Sequence, residues 1–244
     1  MKFSFEEEQL LFAEAIREML KKFCSPEIIN HFTESDSATI PELWNSLSSM
    51  GVLGMAAPTT VGGLEMSDED FVLIMEELGR AGCPEPVMEH AVLSIPLIEE
   101  CNNETQYTDI IESAVNGDKR ISIGLEGHYV VGADSADYLL LFQDDLLYLV
   151  ASESIELQRQ SSVDASRRLF SVNWESSTDT IIENDPNQVQ SRPFGLKIGP
   201  EACQDRSGAF GMGLTHSKGP SRAKKVKKYA QKPPSKFAST VQAL

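Results

Sequence analysis

Cysteine is scarce in this 244-residue chain: Cys24, Cys83, Cys101 and Cys203 are all there is, and no two form a C-x-x-C pair. That spacing argues against a zinc site or a disulfide framework and suits a reducing cytoplasm. Of the four histidines, His31, His128 and His216 have no partners at metal-ligand spacing. No run of 18 apolar residues occurs, so no membrane-spanning helix is expected. The N-terminus has no basic start followed by an apolar run, and no secretory signal is expected. Basic residues are also few over 1–185, with 10 Lys and Arg against 35 Asp and Glu. A body this acidic repels phosphates, which argues against a nucleic-acid partner. What is present is 41% apolar residues, enough for one sizeable core in one or two domains.

The first half reads as helices. Ser4-x-x-Glu7 has the form of a capping box, and Glu6, Glu7 and Glu8 suit the positive end of a helix dipole. Leu10, Phe12, Ile16, Met19, Leu20 and Phe23 follow at helical spacing. Pro26 restarts the chain, and Pro41 opens a helix stopped by Gly51. After a Gly/Pro/Thr loop from Ala57 to Leu64, Ser67-x-x-Asp70 opens a helix ending around Gly79 and Gly82. Further helices are expected from about Pro86 to Glu100 and from about Gln106 to Val115.

Past Gly117 the period becomes strand-like. Short strands are expected at 121–123, 138–142, 146–150, 155–159 and 168–174, about six between 119 and 183. Gln143-Asp144-Asp145 reads as a hairpin turn. In the strand ending at Trp174, Phe170, Val172 and Trp174 face one way and Ser171 and Asn173 the other. The fold class is therefore α+β: an N-terminal all-α bundle (1–117), a small antiparallel β domain (118–184), and a basic Gly/Pro-rich tail (185–244). Over 186–244 the charge reverses to 11 Lys and Arg against 2 Asp and Glu, and neither period persists. A largely disordered tail is expected there. Arg222 to Lys228 reads as a solvated charge run, and Gly208-x-x-Gly211-x-Gly213, with no strand before it, as flexible chain rather than a phosphate loop.

Several stretches carry a resemblance. Phe3 to Gln9, and Leu43-Trp44 through Gly51-Val52-Leu53-Gly54, resemble the opening of acyl-CoA dehydrogenases. Pro58-Thr59-Thr60-Val61-Gly62-Gly63, followed by Glu76-Glu77-Leu78-Gly79-Arg80-Ala81-Gly82, is similar to that family's proline, double-glycine and EELGRAG signature at its spacing. Ala136 to Leu141 and Asp164 to Phe170 look like the β domain of the branch acting on steroid side chains and other bulky acyl-CoA thioesters. The resemblance covers about 3–183. It implies a flavoenzyme using FAD for α,β-dehydrogenation of an acyl-CoA, in an oligomer with another acyl-CoA dehydrogenase subunit. A carboxylate takes the α-proton while the β-hydrogen leaves as hydride to the flavin.

The resemblance also places the site. The family's flavin-contacting Thr-Glu-Pro and Trp-Ile-Thr motifs fall on Leu125-Glu126 and on Tyr129-Val130-Val131. Glu126 matches and Tyr129 keeps an aromatic, whereas Leu125 and Val131 replace hydroxyl-bearing residues, which weighs against FAD binding by this chain alone. Gly62 and Gly63 line the expected substrate entrance, and His90 sits on the helix bordering the acyl slot. For the glycines, tight loop geometry is an equal explanation; for His90, a structural role is the plainer one. Nothing beyond Pro186 matches the C-terminal helical domain that carries the family's catalytic carboxylate, so no catalytic residue is assigned and a truncated or supporting subunit is expected. A reading-frame change near residue 185 and a genuine tail both account for the charge reversal. The alternative is a non-catalytic assembly or binding module, or an incomplete product without flavin. Glu76 and Glu77, adjacent on a helix and so about 100° apart, read as a solvated face rather than an acid–base couple.

Overall fold

The computed structural model describes residues 5–35, 37–101, 105–124, 129–143 and 146–183. The tail expected over 185–244 and residues 125–128 lie outside these residues. Among the described residues no helix is long and apolar enough to cross a membrane.

Helix α1 (Glu7–Phe23) buries Phe12, Ile16, Met19 and Leu20 on one stripe. Its N-cap is Glu6 rather than Ser4: the Gln9 side chain returns to the Glu6 N–H at 2.8 Å. Ser25 caps α2 (Pro26–Glu34), and Pro41 occupies the first turn of α3 (Pro41–Ser49), where a missing N–H costs nothing. Helix α4 (Asp68–Ala81) has the expected capping box between Ser67 and Asp70. It stops at Gly82, whose φ of +63° is left-handed, with the Cys83 N–H bonded to Leu78 O at 3.0 Å. Gly79 lies inside the helix, one turn before its end.

The helix expected from Pro86 to Glu100 is two pieces, a π-helix (Met88–Ser94) and α5 (Ile95–Glu100). Pro96 has no N–H to donate to Val92 O and its ring crowds that carbonyl, so the backbone widens just before it. Ser94 Oγ donates across five residues to Glu89 O at 2.7 Å. Helix α6 (Thr108–Val115) completes the helical part.

Seven strands follow among the described residues. One sheet has the order β1 (Ile121–Gly124), β3 (Tyr138–Gln143), β4 (Leu146–Ala151), β7 (Ile181–Glu183); the other, β2 (Val130–Val131), β6 (Leu169–Asn173), β5 (Glu156–Gln160). Pairing is antiparallel as expected except for β1 and β3, which run parallel. The chain makes that crossover by passing through the second sheet as β2. Phe142 pairs with Leu147 and Gln143 with Leu146; the turn expected at Asp144 and Asp145 lies outside the described residues.

The first sheet is covered on both faces. Leu140, Phe142, Leu147 and Leu149 pack with Ile95, Ile98 and Ile111 of the helices, while Leu139, Leu141, Tyr148 and Val150 pack with Phe170 and Val130 of the second sheet. This is why β3 and β4 read as continuous apolar runs. Phe170, Val172 and Trp174 share the inner side of the second sheet, as their alternation predicts. One apolar cluster joins α5 and α6 to β1, β3 and β4, so helices and sheet share a core across residues 117–118.

The loop after α3 folds back on itself. Leu64, Glu65 and Met66 donate to Gly54, Ala57 and Met55 carbonyls at 3.0, 2.9 and 2.8 Å. Gly62 has a left-handed φ of +85°. At Gly63 an added Cβ would lie 2.1 Å from Ala57 O, a contact only backbone movement can relieve. Gly63→Ala is expected to cost about 2–4 kcal/mol, read as a lower urea midpoint at unchanged slope.

Candidate functional site

The described site residues stand on the folded-back loop (Gly62, Gly63), the π-helix (His90) and the segment at β2 (Tyr129, Val131). Gly62 and Gly63 form the turn of the folded-back loop, and close backbone packing accounts for Gly63. Tyr129 is about half exposed. Val131 is buried in β2, and its carbonyl accepts the hydroxyl of buried Ser122. Leu125 and Glu126 lie outside the described residues.

His90 is fully buried on the π-helix. Its Nδ1 lies 3.1 Å from the Ile121 N–H, which donates to it, and its Nε2 lies 3.1 Å from Ala114 O, which makes Nε2 the protonated nitrogen. Both ring nitrogens are therefore engaged with backbone. Burial holds the ring neutral, with a pKa lowered to about 4.

Around His90 the structure assembles a group that periodicity did not single out. Arg120, just before β1, donates from Nη1 to Glu85 Oε2 at 2.6 Å, and the other Glu85 oxygen accepts the Ile40 N–H at 2.6 Å. The Glu85 side chain is 2% exposed and that of Arg120 14%. The guanidinium lies over Trp44, 3.8 Å from the ring centroid, a cation–π contact out of water. The Trp44 indole donates to Gly117 O at 2.9 Å and meets His90 edge-on at 5.0 Å. Asp137 Oδ2 accepts the Arg120 N–H at 2.8 Å, tying β1 to the start of β3. Together these residues lock the helices to the first strand. Burial pushes the Glu85 carboxyl up, against the pull of Arg120. The sequence signal was faint: Glu85 is one acid between Pro84 and Pro86, and Arg120 follows Lys119 in an ordinary basic pair.

Two further ion pairs correct or extend the reading. Glu76 is exposed as expected, but Glu77 is 4% exposed and held by Arg17 at 2.7 and 2.8 Å. Hydrogen bonding from Arg17 lowers its pKa, so it is an ionised structural anchor rather than part of a solvated face. Beside β2, Arg168 Nε donates to Asp134 Oδ2 at 2.7 Å; Asp134 Oδ1 is buried without a partner among the described residues.

Residues 6–118 match the family model described as acyl-CoA dehydrogenase, N-terminal domain. The acyl-CoA dehydrogenase IpdE2 of Mycolicibacterium smegmatis is 26% identical over 167 residues, 68% of this chain and 51% of that protein. Residues 6–118 thus carry an acyl-CoA dehydrogenase N-terminal domain. Among solved structures, the ChsE4-ChsE5 complex from Mycobacterium tuberculosis is similar with a TM-score of 0.63 at 18% identity, over 75% of this chain and 58% of that one. A steroid ACAD, Tcur3481-Tcur3483, is similar with a TM-score of 0.61 at 19% identity, over 72% and 55%. The chain spans about half the length of the curated IpdE2 relatives it matches.

The family uses FAD. The described residues where the flavin edge is expected do not fit it: Val131 offers no hydroxyl, and the nearby Ser122 hydroxyl is spent on a carbonyl of its own chain. No chemical step is assigned through a flavin bound by these residues.

Arg120→Met strands the buried Glu85 and is expected to lower stability by about 3 kcal/mol, with part recovered in Glu85→Gln/Arg120→Met; denaturant titration of the two variants beside the unaltered protein checks it. His90 adds a pH dependence. Between 6.5 and about 4 the unfolded chain holds a proton that the folded one refuses. Its contribution is complete above 6.5 and declines as pH falls through that window, by about 1.4 kcal/mol per unit. Glu85, its carboxyl raised, gives the opposite slope just above 4.5. Subtracting the pH profile of His90→Gln from that of the unaltered protein isolates the histidine slope.

Proposed function

We propose that this chain is a supporting subunit in the FAD-dependent α,β-dehydrogenation of a bulky acyl-CoA thioester, with a second acyl-CoA dehydrogenase subunit supplying the flavin-edge contacts and the proton-abstracting carboxylate. One observation carries the reading: the family fold is kept, while Val131, at the expected flavin edge, is apolar, buried and bonded only through its backbone. The similarity to a steroid ACAD and to the ChsE4-ChsE5 complex supports a bulky acyl group and a two-component assembly. In this reading the loop around Gly62 and Gly63 borders the substrate entrance, and Leu125, Glu126 and Tyr129 face the flavin held by the assembly. His90 supports the fold from the joint. A reducing cytoplasm, in which Cys24 and Cys83 stay thiols, is the setting.

The test is an absorbance spectrum of the protein purified alone and after co-expression with an acyl-CoA dehydrogenase encoded beside it. The expected result is a colourless single chain and a yellow complex that reduces an electron acceptor with a CoA ester. Stoichiometric flavin on the chain alone, or turnover without a partner, overturns the proposal, as does a colourless chain that joins no partner.

A further inference from the structure

Helices α1 and α4 run parallel, and polar contacts tie them at matching levels. Gln9 donates to Asp70 at a separation of 61 residues, and Arg17 grips Glu77 at a separation of 60. Two helical turns beyond Arg17, where α1 ends, stands Cys24; just past Gly82, where α4 ends, stands Cys83. The same register sets Cys24 against Cys83, and both pack at the cluster that holds Leu20, Leu78 and Val87. Both are free, Cys24 buried and Cys83 half-buried.

We propose that Cys24 and Cys83 are a dithiol modification site, which hydrogen peroxide closes to a disulfide stapling α1 to α4. The neighbouring Cys83 thiol favours the thiolate at Cys24, whereas Cys24 and burial disfavour it at Cys83, and the nearby Glu85 carboxylate works against both. Cys24 is therefore the attacking sulfur. Its thiolate displaces hydroxide from peroxide as the O–O bond breaks, leaving a sulfenic acid and, once the hydroxide is protonated, water. The Cys83 sulfur then attacks the sulfenyl sulfur, so that the S–S bond forms as the S–O bond breaks. The departing hydroxide takes the Cys83 proton as a second water. Two thiols are oxidised, one peroxide is reduced to two waters, and a thiol reductant reverses the change. Peroxide is small enough to reach a buried sulfur. The helix ends are already pinned by Arg17 and Glu77 and by the Gly82 turn, so closure needs side-chain rotation more than backbone travel. The site is independent of any flavin and of the proposed partner.

The experiment treats the full chain with hydrogen peroxide, then quenches, digests without reduction and reads the peptides by mass spectrometry. A Cys24–Cys83 cross-linked peptide, two hydrogens lighter than its reduced halves, is expected. Thermal unfolding of the oxidised protein is expected to move up by roughly 5–10 °C and to return after dithiothreitol. Cys101→Ser and Cys203→Ser keep both results, whereas Cys24→Ser and Cys83→Ala lose both. Recovery of both residues as thiols, separate oxidation of each to sulfinic acid, or a link from either to Cys203 overturns the proposal. Because the first reading is taken on the unaltered protein, a variant that fails to fold leaves it decidable.

Discussion

The buried pairing of Arg120 with Glu85 governs how the two halves of this protein meet. Removing two opposite charges from water is costly, and the cost is offset only when both are fully bonded. Here the carboxylate takes a guanidinium and a backbone N–H, and the guanidinium also lies on the face of Trp44. Trp44 in turn holds Gly117 O, and His90 holds Ile121 N–H and Ala114 O. Each partner comes from a different segment, so the pairing is satisfied only when α3, the π-helix, the end of α6 and β1 are all in place. A misplaced strand would leave several buried polar groups unpaired at once.

That joint works with a sheet covered on two sides. The faces of β3 and β4 are divided between the helices and the second sheet, so a one-residue slip in register would exchange the two sets of apolar residues. The hairpin between β3 and β4 and the Asp137 contacts to Lys119 and Arg120 fix the register from both ends. The frame of the acyl-CoA dehydrogenase family is thus maintained by ordinary packing. It does not depend on a hydroxyl at Val131, which is how an apolar residue stands there without loss of the frame.

The polar pairs along α1 and α4 show how charge complements the core. Glu77 is a buried anion whose partner reaches it from another helix, whereas its neighbour Glu76 meets Arg80 at the surface. Adjacent acids in the sequence thus have different fates, decided by which helix face turns inward. The same parallel packing brings Cys24 to Cys83, although nothing in their sequence spacing suggests it.

Periodicity, caps and breakers made the helices legible: Pro26, Pro41, the Ser67 and Asp70 capping box and Gly82 act within one or two turns of where they stand. The short apolar runs revealed β3 and β4, and alternation revealed the two faces of β6, because side-chain direction in a strand has period two. The family was legible too, through local motifs from Phe3 to Phe170. Contacts between distant segments were not. The parallel pairing of β1 with β3, the π-helix ahead of Pro96, the burial of His90 and Glu77, and the Glu85–Arg120 joint each depend on which segments lie against one another. The amino-acid order determines what each stretch can form and which residues carry charge; only packing in three dimensions decides which charges leave water together, and that desolvation gives an ordinary glutamate or histidine its role.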